Sequence, residues 1–164
     1  MVIAISAPPN VDTSVAIARL AERHRRPAEE DPARAVCRRY HFQTLYDMPA
    51  SLQLTVRERL VREHLEHVRA YGDLLLDYSV AGWLAEWMRW HWNATPTRQW
   101  AEVMETARQC ASRYDVVYHL ETGATRRYDG YVWLDVENSR QVNGLLHHVH
   151  RELGIEARVR YALD

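Results

Sequence analysis

The chain opens on Met1–Ile5, an unbroken apolar run in which Val2, Ile3 and Ile5 are β-branched. Such a run suits a short strand buried on both faces. Ser6–Asp12 follows, with two prolines and an asparagine, and reads as a loop. Thr13–His24 then places Val15, Ile17, Ala18, Leu20 and Ala21 at helical spacing. Strand, tight loop and helix within the first turns of a chain are the entry to a doubly wound α/β sheet.

The same alternation continues. Residues 25–34 are charged and carry two prolines, the mark of a surface connection. Ala35–Leu45 reads as a helix. Ser51–Ala70 is a longer one, with Leu52, Val56, Leu60, Leu65 and Val68 on one face and Gly72 to end it. Asp73–Asp77 is a second short apolar run closed by an acid. Two helical patterns follow, Ser79–Trp92 and Pro96–Arg113, the latter with Thr95 as N-cap. Asp115–Leu120 is a third strand, Asn138–Leu153 a helix closed by Gly154, and Ala157–Leu163 a last strand. No repeat or linker divides the sequence, so residues 1–164 are expected to form one domain with a mainly parallel sheet. Ligands of such sheets bind at the carboxyl ends of the strands. The loop after the first strand, Asp77 and the segment after Leu120 should therefore converge.

Composition narrows the partners. The formal net charge is −1, which gives no global attraction to nucleic acid or anionic lipid. The cluster Arg23, Arg25 and Arg26 is followed at once by Glu29, Glu30 and Asp31, so nucleic acid is not an expected partner. No apolar run approaches the roughly 20 residues that span a bilayer, and the N-terminal run has neither the length nor the flanks of a signal peptide. Two cysteines, Cys37 and Cys110, are too few for a disulfide framework and suit a cytoplasmic location. All 21 basic residues are arginine, a bias that a GC-rich genome produces. Without lysine, chemistry that needs an ammonium or a Schiff base is excluded.

That exclusion matters most at the first loop. A working phosphate loop, G-x-x-x-x-G-K-[ST], points backbone N–H groups at the phosphates, reaches them with lysine and holds Mg²⁺ with the hydroxyl. Here the same position reads Ala7-Pro8-Pro9-Asn10-Val11-Asp12-Thr13-Ser14. The order of elements around it resembles the nucleotide-kinase-like AAA ATPases that include the nicotinamide-riboside kinase domain, and the resemblance covers nearly the whole chain. It implies a P-loop kinase-like three-layer α/β fold. Ala7 stands for the first glycine, Asp12 for the second, Thr13 for the lysine and Ser14 for the magnesium-binding hydroxyl. Only Ser14 keeps its chemistry, and Asp12 sets a negative charge where phosphate would lie. Asp73–Asp77 resembles the family's acid-ended strand, with Tyr78 in place of the arginine that commonly follows. Arg126-Arg127-Tyr128-Asp129-Gly130 resembles the approach to the family's lid, with Tyr131 where the lid arginine is usual.

The expected function is that of a degenerate, non-catalytic kinase-like protein, a protein-interaction scaffold or a ligand sensor that needs no cofactor. Only the phosphate end of the pocket is damaged, so a nucleoside or other neutral group remains a candidate ligand. The alternative is an active nucleotide or nucleoside kinase that uses ATP and Mg²⁺, with Arg126 or Arg127 replacing the lysine, Ser14 on the metal and Asp77 acting as base or through a metal-bound water.

Trp83, Trp87 and Trp90 recur on one helical face, and Trp92 and Trp100 follow closely. Tryptophan is enriched where proteins meet, so these five are expected to serve a protein partner or a homo-oligomer. His64 and His67, and His147, His148 and His150, have spacings that can offer imidazoles to zinc. They supply no four ligands with a shared direction, so no metal site is expected from them. Cys37 has no local activator, and nucleophilic catalysis has no support.

Overall fold

The computed structural model describes residues 1–121 and 135–161. Among the described residues, four strands form one parallel sheet: β1 (Val2–Ser6), β2 (Leu74–Leu76), β3 (Val116–His119) and β4 (Val159–Arg160). Their order is β2-β1-β3-β4. Six α-helices of the described residues accompany them: α1 (Ser14–His24), α2 (Pro32–Tyr40), α3 (Ala50–Ala70), α4 (Val80–His91), α5 (Thr97–Ala111) and α6 (Val136–Glu152).

The strand alternation builds three layers. Ile3 and Ile5 of β1 and Leu75 of β2 pack with Leu20 of α1 on one face. Val2, Ala4, Leu74, Leu76, Val117 and Val159 face the larger core, which α3, α4, α5 and α6 supply. Successive side chains of a strand point to opposite faces, so an unbroken apolar run is what a doubly covered strand requires.

Several boundaries differ from the sequence reading for local reasons. Helix α2 begins at Pro32, inside the stretch read as a connection, because the Asp31 carboxylate accepts from the Ala33 N–H and proline suits the first turn. Glu29 of that stretch also joins the sheet edge, bonding Leu75 O through its N–H and accepting from the Asp77 N–H. Helix α3 stops at Ala70 with Tyr71 as C-cap, one residue before Gly72. Thr95 does not cap α5; its hydroxyl donates to His91 O at 2.7 Å and accepts from Trp87 Nε1 at 2.8 Å, and Pro96 is the cap residue. Gly154 does close α6, at φ +70°. No described helix is long and apolar enough to cross a membrane.

A buried polar relay braces the floor between β2, α3 and α4. Tyr114 Oη accepts from the Val80 N–H at 3.0 Å and lies 2.6 Å from His64 Nε2, whose Nδ1 faces Tyr78 Oη at 3.5 Å. Burial holds the His64 pKa down to about 3, so the ring is neutral. His64 is a core residue, and His67 pairs with Glu29 at 2.6 Å. Cys37 and Cys110 are both free and buried, and burial raises both thiols, to about 11 and about 12.

Candidate functional site

A cavity of ≈ 130 Å³ opens at the carboxyl ends of β1 and β2, where an α/β sheet binds ligands. Ala7, Pro8, Pro9, Val11 and Thr13 form one wall; Asp77, Tyr78 and Ser79 come from the end of β2; Asp31, Arg34 and Cys37 come from α2 and its cap; Gly82, Trp83 and Glu86 come from α4. Tyr46, on a short 3-10 turn at Leu45–Asp47, closes the far side.

The loop that should hold phosphate is occupied by its own side chains and turns. Val11 N–H donates back to Pro8 O at 3.1 Å, a β-turn that Pro9 at its second position favours. Asp12 Oδ1 accepts from the Ser14 N–H at 2.9 Å, at the first turn of α1. A helix N-terminus attracts an anion, and here the chain supplies a carboxylate itself. Two of the eight loop residues are prolines and have no N–H to offer. Among the described residues positive φ is confined to Arg25, His41 and Gly154, so the loop lacks the left-handed residue from which an anion nest is built.

The hydroxyl assignment changes as well. Ser14 is exposed and does not line the cavity. Thr13, placed by motif at the lysine position, does line it and donates to Asp77 Oδ1 at 2.8 Å. The sequence reading missed this pairing because it counted along the motif, whereas the loop turns tightly at Pro8–Val11. Asn10 and Asp12 lie off the cavity lining; Arg126 and Arg127 lie outside the described residues.

The cavity is acidic. Burial raises Asp31 to about 6, with hydrogen bonds from Ala33 N–H and Trp83 Nε1 opposing the rise. Burial raises Asp77 to about 6 too, against the Thr13 hydrogen bond and the charge of Arg34. Glu86 is a third carboxylate, held 3.5 Å from the fully buried Arg57. Beside these acids, the Tyr78 and Trp83 rings stack at 5.1 Å with an interplanar angle of 15°. The arrangement offers hydrogen-bond acceptors and an aromatic wall.

The tryptophans divide. Trp83 and Trp87 are buried, at 5% and 0% exposure, so neither belongs to an interaction surface: the apolar stripe of α4 faces the core. Trp90 is half-buried under the Arg89 guanidinium, 4.5 Å from its ring centroid. Trp92 is 51% exposed and meets Trp100 edge-on at 5.2 Å.

No protein-family model and no curated protein sequence matches the chain. The solved structure of the NadR protein in complex with NR is similar in fold, with a TM-score of 0.66 and 12% identity over 97% of this chain. This chain spans 42% of that protein's length. The sheet, its order and that similarity establish a P-loop kinase-like α/β fold.

Proposed function

We propose that the chain is a non-catalytic member of the kinase-like fold that binds a small molecule at the carboxyl ends of β1 and β2 and does not transfer phosphate. The observation that carries this reading is the Asp12 carboxylate on the Ser14 N–H, which puts a fixed negative charge at the helix end where a phosphate would dock. The absence of lysine supports it, as does the loop without left-handed residues. The ligand class that fits the cavity is a nucleoside or a similar ring compound bearing hydroxyls or a positive charge. Asp31 and Asp77 would accept hydrogen bonds from its hydroxyls, and the stacked Tyr78–Trp83 pair would form a wall on one side of its ring. That the NadR structure carries NR supports a small-molecule site in this fold.

A thermal-shift screen of nucleosides against the matching nucleotides, followed by calorimetric titration of Mg-ATP and Mg-GTP, tests the reading. Nucleosides should raise Tm and triphosphates should not. Micromolar binding of either triphosphate would sink it.

One observation favours an active kinase instead. Arg34 lines the same cavity as Thr13 and Asp77, so a cation is present on α2 without recourse to the lid. Phosphoryl transfer from ATP that disappears in Arg34→Ala and Asp77→Asn would establish the enzyme. A scaffold role would rest on Trp92 and Trp100 rather than on all five tryptophans.

A further inference from the structure

A second constellation sits at the end of β3, away from the cavity and independent of the function proposed for it. We propose that His119, Glu121 and His147 form a binding site for a first-row divalent transition ion of the zinc class.

The argument begins with one imidazole. His119 is the last residue of β3 and is fully buried. Its Nε2 lies 2.8 Å from Asn143 Oδ1. An amide oxygen only accepts, so Nε2 carries the proton and Nδ1 is left with a lone pair. That Nδ1 is buried and has no hydrogen-bond partner. A buried acceptor left unmet is costly, and a metal ion can satisfy an imidazole lone pair as a hydrogen-bond donor would. The hydrogen bond from the opposite ring nitrogen to a fixed oxygen is also the arrangement that orients metal-bound histidines.

Two further donors stand beside this imidazole. His147 lies one helical turn beyond Asn143 on α6, so one face of that helix supplies both the orienting amide and a second imidazole. Glu121, two residues past His119, brings Oε1 to 2.7 Å from His147 Nε2. One ligand atom from each of the three residues can be chosen so that all lie within 4.8 Å of one another. Tetrahedral zinc holds its ligands about 3.4 Å apart at bond lengths of about 2.1 Å. Glu121 is exposed and His147 half-exposed, so side-chain rotation can close the difference while His119 stays fixed. The Tyr161 ring stacks against His147 at 18° and 5.8 Å, walling the imidazole on one side.

Two imidazoles and a carboxylate suit zinc-type ions rather than Mg²⁺ or Ca²⁺, which prefer all-oxygen shells. Three protein ligands leave a fourth position for water or for an external donor. Histidine spacing on α6 could not show the site, because two of the three ligands come from the end of β3.

The test uses the untagged chain, stripped with a chelator, dialysed and titrated with Zn²⁺ alone by calorimetry, with metal content measured after gel filtration. One Zn²⁺ per chain and a higher Tm are expected. His147→Gln and Glu121→Gln alter solvent-reaching side chains and should leave the far-UV circular dichroism unchanged, while each weakens Zn²⁺ binding tenfold or more. Asn143→Ala, which acts by positioning His119, should weaken binding about tenfold or more. Absence of stoichiometric Zn²⁺ in the unaltered chain would overturn the proposal. So would equal affinity in the folded His147→Gln/Glu121→Gln double variant, since the ion would then sit on other histidines.

Discussion

Trp83 Nε1 donates to Asp31 Oδ2 across 3.1 Å, tying helix α4 to the cap of α2 at the rim of the cavity. The same carboxylate accepts from the Ala33 N–H at 2.8 Å. Asp31→Ala removes a helix cap, worth about 1 kcal/mol, and strands a buried indole N–H, which costs about 1–3 kcal/mol. Urea denaturation should show a loss of about 2–4 kcal/mol, and Asp31→Asn should recover only part of it, because its single amide oxygen replaces one of the two acceptors while its NH2 faces the other N–H.

Asp12→Gly frees the Ser14 N–H and removes the charge that occupies the start of α1. Affinity for inorganic phosphate should rise by about two- to fivefold, the factor that corresponds to the 0.3–1 kcal/mol of a charge at a helix end. Calorimetry at low salt measures it. Ser14→Ala should leave phosphate affinity unchanged, since the exposed hydroxyl does not line the cavity.

Asp77 gives a pH signature of definite sign. Its folded pKa, about 6, lies above the ordinary 3.8, so its contribution to stability is complete below about pH 3.8 and is lost as pH rises through 6. Asp77→Asn abolishes this loss and keeps an oxygen for Thr13. Relative to the unaltered chain, the variant should gain about 1–2 kcal/mol between pH 4 and pH 7; two units at 1.36 kcal/mol each set the ceiling, and partial exposure reduces it. Denaturant titrations at the two pH values provide the comparison.

His64 works in the opposite sense. A histidine held neutral to about pH 3 contributes stability that is present above its ordinary value of 6.5 and lost as pH falls below it. His64→Leu should flatten the acid limb of the stability profile between pH 6 and pH 4, read from urea midpoints, while lowering stability at pH 7 because Tyr114 Oη loses a partner.

Trp87→Ala should cost about 3–5 kcal/mol, as the truncation of a fully buried indole does, whereas Trp92→Ser should stay within about 0.5 kcal/mol. If residues near Trp92 carry self-association, sedimentation of Trp92→Ser will show a smaller species at unchanged stability.

The sequence made the sheet legible because doubly covered strands leave an apolar signature: Met1–Ile5 and Leu74–Leu76 could be little else. Asp77 was equally visible as the acid that ends β2. What escaped was tertiary. The periodicity of Trp83, Trp87 and Trp90 describes a face without saying whether core or solvent lies beyond it, and Trp83 and Trp87 point inward. The motif register gave the magnesium hydroxyl to Ser14, while the Pro8–Val11 turn brings Thr13 to Asp77. Asp31 lay hidden within a charged stretch, although Asp31-Pro32 is a plausible helix start in its own right. His119 and His147 are 28 residues apart in number and meet only once β3 and α6 are packed.

Ser6 stands between the two sites at the end of β1, its Oγ 2.6 Å from Ser79 Oγ and 3.1 Å from His150 Nε2. A hydroxyl has one proton to give. If His150 donates through Nε2, Ser6 is free to donate to Ser79; if His150 accepts there, Ser6 must turn its proton away from Ser79, which then becomes the donor. The tautomer of an imidazole on α6 is thus coupled to the direction of the Ser79 hydroxyl dipole in the cavity wall, with no movement of the backbone.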